Sequence, residues 1–344
     1  MLMTIAPDNL KNLLDKLARD RLLVAPSMED GVTRLKPVHS AAEIAFDYSN
    51  TATSIKDFLF PQSEDLLRFV TDGTLSIEEI KPERAQVAFG LRPCDLASVA
   101  LMDKVLLGGE FSDAHYQTRR NNTLLIGLAC ENPADTCFCT TYGYNPGWAG
   151  AADVMLYKDG DKYLAEALTD KGRELVGGPG EGLFKPADEA AGEAVKKAYA
   201  EKDVPFGKEV DVQGIDKILD GFFYDQYWDD ISKKCIGCGT CTYVCPTCHC
   251  FLLTDEARGG QGLRFRCWDS CMFANYTKMA SGANPRPTKK ERVRQRFMHK
   301  LNYYPNRYGG SYLCTGCGRC VAMCPVGLHI AGVIKDVKGV KAHA

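Results

Sequence analysis

The stretch CIGCGTCTYVCP (235–246) carries four cysteines at the spacing C-x2-C-x2-C-x3-C, followed at once by a proline. The same spacing and the same final proline return in CTGCGRCVAMCP (314–325). Each stretch also has glycines between its cysteines, which let the backbone curl so that amide N–H groups can point at sulfur atoms. We therefore interpret the two stretches as one ligand-binding unit that occurs twice.

This spacing is the ligand pattern of bacterial two-cluster ferredoxins, in which the fourth cysteine of each run binds the cluster of the other run. Applied to this chain, the pattern predicts crossed ligation of two [4Fe-4S] clusters. The first cluster is then held by Cys235, Cys238, Cys241 and Cys324. The second is held by Cys314, Cys317, Cys320 and Cys245.

A zinc ribbon and a disulfide framework are the alternatives for these two runs. Structural zinc takes four ligands from two cysteine pairs, so two runs of four cysteines leave thiolates over. Disulfide frameworks belong to small secreted chains, whereas this chain has 344 residues. Both alternatives are disfavoured.

Length and composition predict a protein of about two domains, because 344 residues with 45% hydrophobic side chains can bury a sizeable core. The formal net charge of −2 gives no sign of a polyanionic partner. We expect no signal peptide, since the first residues have no apolar core segment, and no apolar run is long enough for a bilayer. We expect a cytoplasmic protein whose 16 cysteines bind metal rather than pair as disulfides.

The first part of the chain predicts short alternating elements. Leucines at helical spacing after Asp8 predict a first helix, with Asp8 as its N-cap. Segments 21–26 and 31–38 have the composition of short strands, and 63–70 has that of a short helix. A hairpin is expected over 153–167, around an Asp-Gly turn.

A strand, a helix and a second strand follow one another in QVAFGL (86–91), LASVALMDKVLL (96–107) and TLLIGLAC (123–130). This order predicts a βαβ unit with parallel strands. Cys94 and Cys130 come just after the two strands, and the carboxyl ends of parallel strands meet at the rim where ligands bind.

Two more cysteines follow Cys130 within a few residues, so four thiols could converge at this rim. Gathered thiolates repel one another and need a metal to hold them together. A third cluster, a zinc site and unligated thiols are all compatible with the pattern, and we favour a third [4Fe-4S] cluster. Its ligands would be Cys94, Cys130, Cys137 and Cys139.

We therefore predict an α+β protein. An α/β domain with a partly parallel sheet would occupy residues 1–210 and carry the third cluster site. A mainly helical, ferredoxin-like dicluster domain would occupy 211–335, beginning with an aromatic-rich helix at 212–232, and a tail would follow at 336–344.

Cysteines also crowd the segment after the first run, in TCHC (247–250) and CWDSC (267–271). They could hold a fourth cluster or a zinc ion, or they could be structural, substrate-linked or redox-active thiols. Their spacing matches no familiar ligand pattern, so we favour a role as thiols and leave a metal site open. The residues concerned are Cys248, Cys250 and Cys271, with Cys267 beside them and His249 as a hydrogen-bonding partner.

Segment 286–300 has seven Lys or Arg against one Glu and predicts a helix with one apolar stripe and a basic remainder. It could bind nucleic acid, dock a partner subunit, or offset the negative charge of nearby clusters. We favour charge compensation or docking, because cations near an anionic cluster lower its desolvation cost.

Taken together, these motifs resemble those of the iron–sulfur subunit of the anaerobic sulfite reductase family and of the related beta subunit of cytosolic sulfhydrogenases. The resemblance spans about residues 85–330. It depends on RPCDLAS (92–98), ACENPADTCFC (129–139), CIGCGTCTYVCPTCHC (235–250), RCWDSC (266–271) and CTGCGRCVAMCP (314–325).

The resemblance implies an electron-transfer subunit of a hetero-oligomeric anaerobic oxidoreductase. Such a subunit relays electrons between a flavin subunit that oxidises NAD(P)H and a catalytic partner of sulfite reductase, nickel–iron hydrogenase or heterodisulfide reductase type. The family pattern also supports the third ligand set. It includes Cys248, Cys250 and Cys271 but not Cys267.

The chain itself has no G-x-G-x-x-G after a strand and no arrangement of catalytic acids, bases or nucleophiles that we can argue. We therefore expect no membrane span, no nucleic-acid partner and no hydride chemistry of its own. The alternative hypothesis is an enzyme that uses the Cys248–Cys271 segment for thiol, disulfide or sulfur chemistry.

Overall fold

A computed structural model of the chain describes residues 1–71, 73–82 and 84–341. Its strands are β1 (Leu2–Ile5), β2 (Leu22–Glu29), β3 (Val32–Val38), β4 (Ser63–Val70), β5 (Ser76–Glu79), β6 (Gln86–Leu91), β7 (Thr123–Leu128), β8 (Val154–Asp159), β9 (Lys162–Ala167), β10 (Phe184–Pro186), β11 (Phe251–Arg258) and β12 (Gln261–Trp268). Its helices are α1 (Pro7–Asp20), α2 (Lys56–Leu59), α3 (Pro93–Leu106), α4 (Ala114–Asn121), α5 (Asp170–Gly177), α6 (Glu189–Ala200), α7 (Pro205–Lys208), α8 (Ile215–Gly221), α9 (Tyr227–Lys234), α10 (Thr240–Tyr243), α11 (Lys289–Met298), α12 (Tyr304–Arg307), α13 (Arg319–Ala322) and α14 (Ile330–Lys341).

The mixture of helices with a partly parallel sheet confirms the predicted α+β class. The chain forms two compact units, and each is built from discontinuous segments. The first unit contains Met1–Ile55, Glu83–Lys208 and Thr315–Cys317. The second contains Lys56–Pro82, Glu209–Cys314 and Gly318–Ala344. None of the helices in the described ranges combines the length and the apolarity that a membrane span requires.

The first unit is organised by an eight-stranded sheet in the order β10-β1-β9-β8-β7-β6-β2-β3. Its centre is parallel, since β6 pairs in parallel with both β2 and β7, and β7 pairs in parallel with β8. Every residue of β6 and β7 is buried. The predicted βαβ unit is therefore confirmed, and so is the hairpin, which is formed by β8 and β9.

Two helix starts differ from the prediction, for the same reason. We predicted Asp8 as an N-cap, but α1 begins at Pro7 after Ala6, and Asp8 lies in the first turn. Helix α3 begins at Pro93, so Cys94 lies in its first turn. Proline suits the first helical position because its missing N–H would have no partner there.

The second unit contains a four-stranded antiparallel sheet, β11-β12-β4-β5, in addition to its helices. The predicted helix at 63–70 is wrong, because this segment is strand β4. It pairs with β12, and the buried Glu64 carboxylate accepts a hydrogen bond from Arg266 Nε at 2.7 Å. The hydrophobic pattern of residues 63–70 cannot show this pairing, because β12 lies far away in the sequence.

The helical part of the second unit is more broken than the sequence suggested. The helix predicted at 212–232 is two helices, α8 and α9, with Trp228 fully buried between aromatic neighbours. The tail predicted at 336–344 is helical as far as Lys341, and residues 342–344 lie outside the described residues.

Candidate iron–sulfur sites

The four cysteines that the crossed pattern assigns to the first cluster line a single cavity of the second unit. Three of them come from the first run, and the fourth comes from the end of the second run. They are Cys235, Cys238, Cys241 and Cys324. Apolar side chains form most of the remaining wall, among them Met272, Val293 and Phe297.

The backbone around this cavity is shaped to offer donors to sulfur. Gly237 and Gly239 have φ angles of 71° and 74°, in the left-handed region that favours glycine. The Gly237 N–H donates to Cys235 Sγ at 3.4 Å, and the Leu328 N–H donates to Cys324 Sγ at 3.2 Å. Both ends of the ligand set therefore have amide donors that would stabilise thiolates.

Arg296 forms part of the same wall and is only 3% exposed. Its Nε and Nη1 atoms are buried without any hydrogen-bond partner. Burial by itself would lower the pKa of this guanidinium, but the neighbouring thiolates of Cys241 and Cys320 outweigh it and raise the pKa. A buried cation with two unsatisfied donors is costly unless an anion faces it. A cluster held by four thiolates carries that negative charge, so the residues present fit the group.

The second predicted set divides between the two units. Cys245, Cys314 and Cys320 belong to the second unit, whereas Cys317 is grouped with the first. The three cysteines of the second unit interact electrostatically with a second buried cation, Lys300.

The Lys300 ammonium donates to Thr247 Oγ1 at 2.9 Å and to the Leu313 carbonyl at 3.0 Å. Burial would lower its pKa, yet the thiolates of Cys245, Cys248 and Cys314 raise it. Lys300 is thus positioned to offset negative charge at these sulfurs.

The cations of the basic run at 286–300 are divided between the interior and the more exposed side of the helix. Three of its seven cations, Arg292, Arg296 and Lys300, are buried. Arg292 donates to the carbonyl oxygens of Met272 and Pro287, at 3.1 and 2.8 Å. These inward cations favour charge compensation over a nucleic-acid surface.

The four cysteines of the predicted third site line one cavity of the first unit. They are Cys94, Cys130, Cys137 and Cys139. Cys94 opens α3 after β6, and Cys130 follows β7, so the parallel strands do bring them to the same rim. Burial raises the pKa of Cys130 to about 11 and that of Cys139 to about 12. Thiols in this setting remain protonated unless a metal takes the place of the protons.

Arg92 is a further wall residue of this cavity that sequence reasoning did not single out. It is 4% exposed, and its guanidinium lies 3.9 Å from the Tyr48 ring centroid. Its Nη1 donates to the Ala129 carbonyl at 2.7 Å, but its buried Nε has no hydrogen-bond partner. The third cavity therefore resembles the first, with four cysteines and one incompletely satisfied arginine.

A short segment of the second run completes this cavity. Gly316 has a φ of 63°, and a Cβ at this position would lie 2.3 Å from the Phe138 carbonyl oxygen. The Phe138 N–H donates to the Gly316 carbonyl at 2.8 Å, and Asn50 Nδ2 donates to the Cys317 carbonyl at 2.8 Å. Only glycine allows so close a backbone approach.

Lys56 is a second cation that the sequence analysis did not assign. It is buried in the second unit, lies 3.7 Å from the Trp268 ring centroid and donates to the Tyr243 carbonyl at 3.1 Å. Burial lowers its pKa, while the thiolates of Cys248 and Cys245 act to raise it. No local signal could have identified Lys56, because its partners lie far along the chain.

The hairpin of β11 and β12 gathers the remaining cysteines. The Asp269 N–H donates to the Cys250 carbonyl at 3.0 Å. Cys250 and Cys271 share a hydrogen bond that lowers the pKa of Cys250 to about 6 and raises that of Cys271. We missed this hairpin, although its Gly-Gly turn at 259–260 was a usable signal.

The two other residues of this segment play smaller parts. Cys267 lies on β12 opposite Leu252. His249 Nδ1 is 3.1 Å from the Thr247 carbonyl, and burial lowers the pKa of His249 to about 4. His249 thus has the hydrogen-bonding role that we expected. Within the described ranges, no three His, Cys, Asp or Glu side chains are gathered so as to hold a single metal ion.

Comparison with known proteins gives two matches. Residues 234–328, which contain both cysteine runs, match the 4Fe-4S dicluster domain. The chain is also similar to the protein named sulfhydrogenase 2 subunit beta of Pyrococcus furiosus, with 31% identity over 314 residues and 91% of each chain covered. No solved structure gives a significant match.

Proposed function

The chain belongs to the sulfhydrogenase beta-subunit family of iron–sulfur electron-transfer subunits, and from that premise we propose which cysteines hold its clusters and what it connects. The first cluster is held by Cys235, Cys238, Cys241 and Cys324. The second is held by Cys314, Cys317, Cys320 and Cys245. A third is held by Cys94, Cys130, Cys137 and Cys139.

The observation that carries this proposal is the first cavity. Cysteines from two distant runs line it together, and Arg296 lines it with two buried donors that lack an acceptor. An anionic group bound to all four sulfurs would satisfy both features at once. The third cavity supports the same conclusion with Arg92 in the corresponding role.

A [4Fe-4S] cluster supplies reversible one-electron transfer when bound. The chain supplies the groups that adjust the reduction potential of the cluster. Backbone amides donate to ligand sulfurs, buried Arg296 and Lys300 offset negative charge, and apolar walls keep water away. These are the features that set a cluster's reduction potential.

We further propose that the chain is a cytoplasmic component of a hetero-oligomer. It would relay electrons between a flavin subunit that oxidises NAD(P)H and a redox catalytic subunit. Of the three partner types considered, the relative's name supports one of hydrogenase type. The relative's name gives no support to a sulfite reductase or heterodisulfide reductase partner.

Iron analysis combined with a turnover assay tests this function. We expect the chain, purified without oxygen, to hold about 12 irons and as many sulfides, enough for three clusters. Dithionite should reduce its clusters, and after removal of excess dithionite the reduced chain should pass electrons to an artificial dye, yet the chain should not oxidise NADH unaided. Unaided NADH oxidation, or a folded and colourless chain without iron, would contradict the proposal.

One observation favours a second candidate function, thiol or sulfur chemistry at Cys250 and Cys271. These two thiols share a hydrogen bond, and the pKa of Cys250 is lowered to about 6, so it can react as a thiolate near neutral pH.

We expect Cys271→Ser to keep the iron content and lose thiol reactivity if this candidate is right. Loss of iron and of an EPR signal would instead make Cys271 a ligand, and Cys267→Ser is the matched control.

A further inference from the structure

Cys238 differs from every other cysteine of the chain in its accessibility. All sixteen cysteines lie within the described residues, and Cys238 alone is exposed. It lies in the loop that lines the first cavity, next to Ile236, whose side chain is 63% exposed. A single exposed apolar side chain is ordinary on a protein surface, so Ile236 is informative only as part of a larger apolar patch.

More apolar surface adjoins this loop. Pro325 lines the same cavity and is exposed, and the neighbouring Met323 is 40% exposed. Electron transfer between proteins becomes rapidly slower as the cofactors move apart. The place where a ligand loop reaches the surface is therefore the place where a partner can approach a cofactor most closely.

Three exposed lysines lie next to this ligand loop. Lys233 and Lys234 are exposed at the end of α9, directly before Cys235. The exposed Lys289 donates from Nζ to the Cys235 carbonyl at 2.9 Å.

The acids near these lysines in sequence are already engaged, and Glu291, two residues after Lys289, accepts a hydrogen bond from the Thr288 N–H at 2.9 Å. Asp230 pairs with Lys233 at 2.8 Å, and Asp229 pairs with Lys290 at 2.6 Å. The positive charge of Lys234 and Lys289 is therefore not cancelled by these acids. We call this surface the Cys238 face and define it by Lys234, Ile236, Cys238, Lys289 and Pro325.

We propose that the Cys238 face docks an acidic partner protein that carries a one-electron cofactor close to its own surface. The apolar centre would exclude water, and the lysines would attract and orient the acidic rim of the partner. One electron passes between the partner and the first cluster, so one is oxidised as the other is reduced, and no bond forms or breaks. This inference rests on the proposed function, because it needs a cluster at the first cavity.

Stopped-flow mixing of the full, cluster-loaded chain with a reduced plant-type [2Fe-2S] ferredoxin, an acidic one-electron carrier, tests the face. We expect Lys234→Glu/Lys289→Glu to lower the second-order rate constant about tenfold at low salt, since charge reversal mainly slows association. The difference should shrink as salt screens the charges. Ile236→Asp should slow the reaction at every salt concentration.

The matched control is Lys185→Glu/Lys197→Glu, which reverses two exposed lysines of the first unit and should react like the wild type. Lys234→Glu alone leaves the contact of Lys289 with Cys235 intact and should change the rate in the same direction.

Three outcomes would overturn the docking proposal. One is an unchanged rate in the variants, with iron content and EPR signals intact. Another is that the reduced chain passes electrons to a basic carrier, oxidised cytochrome c, equally fast and with the same salt trend. The third is retention on single-stranded DNA that the variants lose, which would assign the face to nucleic acid. Failure of the proposed function is distinguishable, because the wild-type chain would then lack iron and cluster signals.

Discussion

Cys324→Ser is expected to remove about four irons per chain and to abolish the same EPR signal as Cys241→Ser. The two residues belong to different cysteine runs, yet both line the first cavity. A serine hydroxyl does not ionise near neutral pH, so it replaces a thiolate ligand poorly. Because cluster binding also contributes to folding, we expect both variants to unfold at lower denaturant concentration than the wild type.

The comparison that decides this prediction is with Cys314→Ser, which should abolish a different EPR signal. Cys267→Ser is the control, since Cys267 lies on β12 and lines neither cavity. If Cys324→Ser and Cys314→Ser abolish the same signal, ligation is not crossed and the assignment of Cys324 is wrong.

Arg296→Met is expected to change stability in opposite directions with and without clusters. In the loaded chain the substitution leaves an anionic cluster without its buried cation, which should destabilise the fold by about 3–5 kcal/mol. In the iron-free chain no anionic cluster faces the guanidinium, and Met removes a buried charge with two unsatisfied donors. There the variant should be as stable as the wild type or more stable, by up to about 4 kcal/mol.

Urea unfolding under anaerobic conditions, with and without iron, measures this reversal of sign. Arg294→Met is the matched control on the same helix, because Arg294 lies over the Phe223 ring and donates to the Phe223 carbonyl rather than to a cavity. Its effect should be equal in both forms.

A second measurement does not depend on how the iron-free chain folds. EPR-monitored redox titration should show the midpoint potential of the first cluster, and of the second through Cys320, moved to more negative values in Arg296→Met, because a cation near a cluster favours the reduced state. If the potentials are unchanged and the loaded and iron-free chains are destabilised equally, Arg296 contributes only to packing.

Several features of the fold could be predicted because their causes are local. The apolar runs of β6 and β7 predict buried parallel strands, and the helix between them requires a crossover connection. The short distance from each strand to Cys94 and Cys130 then predicts that these cysteines meet at one rim. The α+β class follows from the same local patterns.

Other features could not be predicted because they depend on distant partners. Strand β4 was predicted as a helix. The contacts that make it a strand, its pairing with β12 and the ion pair of Glu64 with Arg266, join segments about 200 residues apart and are not visible in the local sequence. Helix α11 was predicted to be basic on its surface. Which of its cations point inward depends on where the cysteines lie in space.

The sequence alone determined the chemistry of this protein, because the spacing of thiolates within a run depends on a few consecutive bonds. Only the tertiary structure decided the electrostatic surroundings of those thiolates. Arg296, Lys300, Arg92 and Lys56 become relevant because folding buries each of them near cysteines, most of which lie far away in the sequence. Burial makes their charges strong, since little water remains to screen them.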